Sequence, residues 1–218
     1  MGINKQSLVY FCALFEYKEM NLAEKSQATL DVFSELESDT KQFASESGLS
    51  CVSGCGFCCA NPKVPASPLE FLPLAFDLHD KGLAESTLII LESKDEGDSC
   101  VMYRPQSEDG RKGFCGNHTK RGMICRLFAA SARRTKYGKK DLIICKVLKE
   151  EKAEAFLIAS ERINKDLDIP LATAFYSRLD EIDESLSQQF TINEAIAFAL
   201  ELVLRYRFYE EQEIDVIA

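Results

Sequence analysis

The sequence predicts a mainly α single domain carrying a small, irregular cysteine-rich metal-binding insert of short β-hairpins. Three observations lead there. Apolar residues recur at helical spacing towards both ends of the chain, and nine cysteines in 218 residues gather in its middle. Around those cysteines the chain breaks into short apolar pieces separated by Gly, Asn and Lys, as hairpins do. The length suits one domain whose core needs no covalent staples. The divisions read as N-terminal helices over 1–50, a Cys-rich zinc- or iron-chelating region over 51–148, and C-terminal helices over 149–218 packed on the same core.

Residues 1–47 read as helix. Leu22, Thr29, Leu30, Val32, Phe33, Leu36, Phe43 and Ala44 keep a three-to-four spacing with polar residues between, and Gly48 stops the run. Cys12, beside Tyr10, Phe11 and Leu14, reads as a small buried hydrophobe. Residues 51–66 are rich in Cys, Gly and Pro and read as a loop wrapped around something. Ser67-Pro68-Leu69-Glu70 then starts a helix, with Ser as cap, Pro in the first turn and Glu three residues on. That helix carries Phe71, Leu72, Leu74, Ala75 and Leu78, and Gly82 ends it; a second short element follows through Leu88 to Leu91.

From Asp95 to Lys149 the apolar pieces are Cys100–Tyr103, Gly113–Cys115 and Leu142–Val147, while Tyr103-Arg104-Pro105 reads as a turn. The tail returns to helix over 149–164, over 171–188 after Pro170, and over 192–210. Thr191 and Glu194 form a further capping box before Ala195, Ile196, Ala199, Leu200, Val203 and Leu204.

Charge narrows the function classes. Acidic residues outnumber basic ones 35 to 26, a net charge of -9, which argues against a surface that coats nucleic acid or anionic membrane. The longest early apolar run, Leu8–Phe15, is far short of the ~18 residues that span a bilayer, and it makes a poor signal peptide. The expected setting is cytoplasmic, with no membrane or nucleic-acid partner. Residues 111–140 stand apart, with ten basic residues and no acidic one. Either these cations offset the negative charge of nearby thiolates, or they form a docking patch for an acidic protein or other anionic partner.

The cysteines carry the chemistry. Eight of the nine lie between 51 and 145, and four fall within Cys51-Val-Ser-Gly-Cys55-Gly-Phe-Cys58-Cys59. Nine thiols cannot all pair, and a reducing compartment favours metal over disulfides. Chelation needs thiolates brought to one point by a backbone free to turn, which Gly54 and Gly56 permit. Such spacings serve zinc and iron–sulfur sites alike. Adjacent Cys58 and Cys59 point apart in extended chain, so either one serves a second metal or one is structural. The candidate ligands are Cys51, Cys55, Cys58, Cys59, Cys100, Cys115, Cys125 and Cys145. Eight thiols suffice for two four-thiolate sites, for one cluster with spares, or for two metals sharing sulfurs.

The Cys51–Cys59 run, Cys100, the block Cys115-Gly-Asn-His-Thr-Lys-Arg121-Gly-Met-Ile-Cys125-Arg126-Leu-Phe128, and Cys145 together resemble the YkgJ-type CxxCxxCC family. The resemblance covers about residues 51–146 and implies a zinc- or iron-chelating domain with eight cysteines. In that family the second block reads Cys-x-Ile-Tyr-x-x-Arg-Pro-x-x-Cys-Arg-x-Phe. Here Cys115, Arg121, Cys125, Arg126 and Phe128 fall on the matching positions. Asn117 and His118 stand where Ile and Tyr are usual, Gly122 stands for the Pro, and the first gap has three residues rather than two. A flagellin lysine methylase is similar to this family over the same cysteines, so the resemblance also implies a protein-modifying alternative.

Cys51-x3-Cys55-x-Phe57-Cys58 also satisfies the pattern of radical S-adenosylmethionine enzymes, but their barrel needs alternating strands and helices that this chain does not show. No phosphate loop, nucleophile elbow, HExxH or paired-carboxylate motif is present. His79 reads as exposed or capping rather than a ligand, and His118 as a ligand, a donor to a cluster sulfur, or a packing substitute for Tyr, with ligation disfavoured because eight thiols already supply a full set. The expectation is a metal-binding module with an iron–sulfur cluster preferred over zinc, redox-active or structural, acting with a partner. The alternative is a cluster-dependent protein-modifying enzyme.

Overall fold

Helix α2 (Pro68–Asp80) is the element the others surround. Its sequence is apolar almost all round, and nine of its residues are buried, Leu69, Leu72 and Leu74 almost completely. The computed structural model describes residues 20–217 apart from 53 and 109–111; the apolar run Leu8–Phe15 and Cys12 lie outside the described residues. Against α2 pack α1 (Leu22–Ser47), α3 (Ala84–Glu92) and α8 (Ile192–Ile217), while α7 (Ala172–Ile182) packs on α1. α1 is amphipathic and buries one stripe, Val32, Phe33, Leu36 and Phe43. Asn21 caps it, exchanging bonds with Glu24, and Gly48 ends it in left-handed backbone. α8 buries Ile196, Leu200 and Val203 after Glu194 accepts bonds from the Thr191 N–H and hydroxyl.

The chain is mainly α, with eight helices and three short antiparallel strand pairs among the described residues. β1 (Pro65–Ala66) pairs with β6 (Phe190–Thr191) and so ties the start of α2 to the start of α8. β2 (Tyr103–Pro105) pairs with β3 (Gly113–Cys115), and β4 (Ser131–Arg134) with β5 (Lys140–Ile143). Between the second and third pairs lies the short α4 (Met123–Leu127). The main core takes in Cys100, Val101, Met102, Met123 and Leu127 along with the helices. A smaller cluster of Phe43, Leu49, Ala132, Ile163 and Leu167 sits beneath the β4–β5 hairpin. No helix among the described residues is long and apolar enough to cross a membrane.

Four local readings need correction. Tyr103-Arg104-Pro105 is a strand, not a turn; Pro105 ends it opposite Gly113, where a missing N–H matters least. Leu142–Val147 is half strand, because Cys145 caps a helix at Lys146. The helix expected over 149–164 is two, α5 (Lys146–Glu151) and α6 (Ala153–Arg162). They break at Lys152, whose ammonium reaches the Gly48 carbonyl and the Ser50 hydroxyl. The helix expected over 171–188 stops at Ile182. There the Asp183 carboxylate accepts the Leu186 N–H and the Ser185 hydroxyl, an alternative to helix that short polar side chains offer.

Asp183 also holds α1. Its carboxylate accepts a 2.7 Å bond from Lys25, and both side chains are largely buried. Burial pushes this carboxyl up, but Lys25, Ser185 and the Leu186 N–H together hold it at about 2. Its folded value lies below the unfolded one, so the stabilisation is present above the unfolded value and is lost as pH falls towards 2. Asp183→Asn is expected to cost about 2 kcal/mol at neutral pH. In urea titrations of both proteins that difference should shrink towards zero in acid.

Candidate metal centre

Four separate stretches supply the eight cysteines, and backbone bonds lace three of them together. The Cys51–Cys59 loop lies against β3, with Cys55 bridging Lys112 and the Gly113 N–H donating to the Gly54 carbonyl. The Cys100 N–H donates to the Cys59 carbonyl at 3.0 Å, and the Gly116 N–H to the Met102 carbonyl at 2.7 Å. The Tyr103 ring stacks into this junction. A Cβ on Gly56 would sit 2.2 Å from it, and one on Gly113 2.5 Å. Gly56 is therefore glycine for close approach rather than for chain freedom, whereas Gly54 does adopt left-handed backbone. The fourth stretch brings Cys145, whose Sγ accepts the Leu148 N–H at the start of α5.

Two partners invisible at short range fix the remaining segments. Asn193, in the first turn of α8, accepts the Val101 N–H at 2.9 Å and donates to the Ser99 carbonyl, so it grips the chain on both sides of Cys100. Glu70 is fully buried. One oxygen accepts the Ser67 N–H, and the other accepts the Ile124 N–H at 3.0 Å, at the start of the turn that carries Cys125. A Cβ on Gly122 would stand 2.7 Å from the second oxygen and 2.8 Å from the Phe71 ring. That crowding accounts for glycine at this position.

Cys58, Cys59, Cys100, Cys115 and Cys125 line one small enclosed cavity of about 20 Å³, closed by apolar groups such as Phe71, Leu74 and Met102. Cys51 is exposed, and Cys55 opens onto a surface groove of about 970 Å³ whose far wall includes Lys146 and Val147, next to Cys145. As placed, no three His, Cys, Asp or Glu side chains among the described residues are close enough to enclose an ion. The donor set fits a thiophilic metal: all sulfur, from a cavity with an apolar wall.

Burial, not the neighbouring cations, dominates the thiols. It pushes Cys100 up to about 11, raises Cys125 well above the ordinary thiol range, and raises Cys51 and Cys115. Around Cys51 the neighbouring Cys58, Cys55 and Cys145 add to the effect. Cys58 is favoured as thiolate, chiefly because the Cys59 thiol donates to it, so these adjacent side chains meet in one cavity instead of pointing apart as in extended chain. At Cys115 desolvation outweighs the opposing charge of Arg121. A bound cation's own charge is what would complete deprotonation.

The basic stretch divides into different jobs. Arg126 is a brace, donating to the Thr119 and Arg121 carbonyls, reaching Glu37 at 3.4 Å, and stacking over Phe33. Arg121 lines the thiol cavity, and its buried Nε has no hydrogen-bond partner there. An unpaired buried N–H facing thiols is the donor that sulfur ligands of a metal centre can satisfy. His118 contacts Arg121 and is not among the cavity-lining residues; burial first, then Arg121 and Arg126, keep it neutral-favouring. His79 sits in the last turn of α2 beside Asp80. Arg133, Arg134, Lys136, Lys139 and Lys140 belong to the β4–β5 hairpin or its tip and line no part of the cavity.

The comparisons agree with this chemistry. Residues 50–155 match the family model CxxCxxCC, described as "Putative zinc- or iron-chelating domain". No curated protein and no solved structure matches the chain. The match covers the cysteine-bearing middle of the chain, with α2 and α3 inside it and α1, α7 and α8 outside.

Two substitutions test how this stretch is held. Gly122→Ala keeps an allowed backbone but drives its Cβ into Glu70 and Phe71. It should lower stability by about 1–3 kcal/mol, read as an earlier urea midpoint. Glu70 tests the second support. Burial pushes its carboxyl up to about 7 against the Ile124 and Ser67 donors. Between the ordinary 4.5 and about 7 the folded chain therefore holds the extra proton, and stability falls as pH rises through that window. Glu70→Gln starts less stable at the acid end, and the gap to the unaltered chain should narrow by up to about 3 kcal/mol as pH rises.

Proposed function

We propose that the protein is a metal-binding module that holds iron, as an iron–sulfur cluster, through Cys51, Cys55, Cys58, Cys59, Cys100, Cys115, Cys125 and Cys145, and works with a partner in a reducing, cytoplasmic setting. The observation that carries the reading is one apolar cavity lined by five thiols and by a buried Arg121 Nε lacking a partner. The Cys-x3-Cys-x2-Cys spacing and the all-sulfur donor set favour iron–sulfur over zinc. Arg121 would donate to the ligand sulfurs and raise the potential of the centre. Such a centre, once bound, would supply one-electron chemistry, whereas zinc in the same thiolates would act as a structural staple.

The partner face is the β4–β5 hairpin. Arg134, Lys136, Lys139 and Lys140 cluster there, Tyr137 is strongly exposed at the tip, and among the described residues Arg133 is the one of these cations paired to a carboxylate, Asp141 at 3.1 Å. Its charge suits an acidic protein segment. A second reading, a cluster-dependent enzyme modifying protein lysines, draws on the likeness to flagellin lysine methylase. It is favoured by the groove beside Cys55 and the exposed Phe57, which is large enough for a cofactor.

The deciding experiment is anaerobic purification followed by iron, sulfide and zinc analysis with a visible spectrum. Brown protein with stoichiometric iron and sulfide is expected; colourless zinc protein would replace the cluster by a structural site, and protein with neither metal would overturn the reading. For the enzyme alternative, saturating S-adenosylmethionine must perturb the cluster spectrum, and an unchanged spectrum removes it.

A further inference from the structure

We infer that the eight thiols form two centres of unequal exposure, an inner one of Cys59, Cys100, Cys115 and Cys125 and an outer one of Cys51, Cys55, Cys58 and Cys145. The inference rests on the metal-binding reading and adds to it which thiols act together and which centre solvent reaches first.

The inner four share the enclosed cavity. Each is pinned from a different direction. The Cys59 carbonyl receives the Cys100 N–H, Asn193 grips the chain beside Cys100, Cys115 ends β3 opposite Tyr103, and Cys125 sits in the turn held by Glu70. All of these anchors belong to the main core or to a strand laid on it, so this centre can open only if the core does.

The outer four are related through Cys51, on which the charges of Cys58, Cys55 and Cys145 all act. Cys51 is exposed, and Cys55 lies in the wall of the open groove. Cys145 is carried to that groove by α5, whose next two residues, Lys146 and Val147, line it. Lys152 completes the approach: its ammonium binds Gly48 and Ser50, which sets the residue before Cys51 against the end of α5. Cys58 stands at the boundary. It touches the inner cavity and follows Cys55 by three residues in the loop that carries the outer thiols. Four thiolates per centre is the full set for a closed zinc site or a four-iron cluster. The peptide bond between Cys58 and Cys59 then joins the two centres, and Arg121, whose charge acts on Cys51, Cys58 and Cys115, faces both.

The test uses the full chain purified anaerobically with the metal it carries, challenged with excess ferrozine for iron or pyridylazoresorcinol for zinc. Release in two phases of equal amplitude is expected. The double variant Cys51→Ser, Cys145→Ser should hold half the metal and lack the fast phase, and Cys100→Ser, Cys125→Ser should lack the slow one. If that inner variant does not fold, the unaltered chain and the outer variant still decide. Release in a single phase, or loss of all metal from the outer variant, would mean one polynuclear centre and overturn the partition while leaving metal binding intact. A chain that carries no metal overturns both.

Discussion

The carboxylate of Glu70 is the constraint on which the cysteine half of the molecule depends. Buried at the start of α2, it answers the orphan N–H groups of two helices at once, at Ser67 for α2 and at Ile124 for α4. A buried carboxylate is costly unless its oxygens are satisfied, and here one satisfying donor, the Ile124 N–H, lies 54 residues from Glu70 in sequence. The central helix and the Cys125 turn are thereby locked in one relation. Gly122 must be small because that lock is tight, and Met123 and Leu127 enter the core as a consequence.

The other anchors follow the same logic of placing cysteines by groups that are not cysteines. Asn193 reaches from α8 to the chain around Cys100, and Tyr103 fills the space that Gly56 and Gly113 leave open. Arg126 gathers the carbonyls of the loop between Cys115 and Cys125. None of these residues has the chemistry of a metal ligand. Their effect is to hold thiols near one another in a setting where burial makes Cys100, Cys115 and Cys125 reluctant to ionise, so that a metal ion's charge becomes the natural complement.

The fold also separates two uses of positive charge that are continuous in the chain. Arg121 and Arg126 are drawn inward by thiols and carbonyls, while the cations from Arg133 to Lys140 ride outward on a hairpin. The division falls at α4 and Phe128, where the backbone leaves the thiol cavity and enters the smaller cluster under β4–β5.

The sequence by itself determined what depends on neighbours close along the chain. The amphipathic stripe of α1, the apolar α2, the Gly48 stop and the paired Thr191 and Glu194 are all legible because helix periodicity and capping act over three or four residues. The chelating composition of the middle half is equally local, since thiols and glycines at short spacing announce it. The tertiary structure alone decided which thiols share a cavity, that Arg126 braces while Arg121 faces sulfur, and that Glu70 and Asn193 support the site. Ser67 and Glu70 were readable as a helix start, but the Ile124 partner was not. Such pairings join residues from 54 to more than 90 positions apart. They arise from packing, which brings distant groups to hydrogen-bond distance without leaving any periodic trace in the chain.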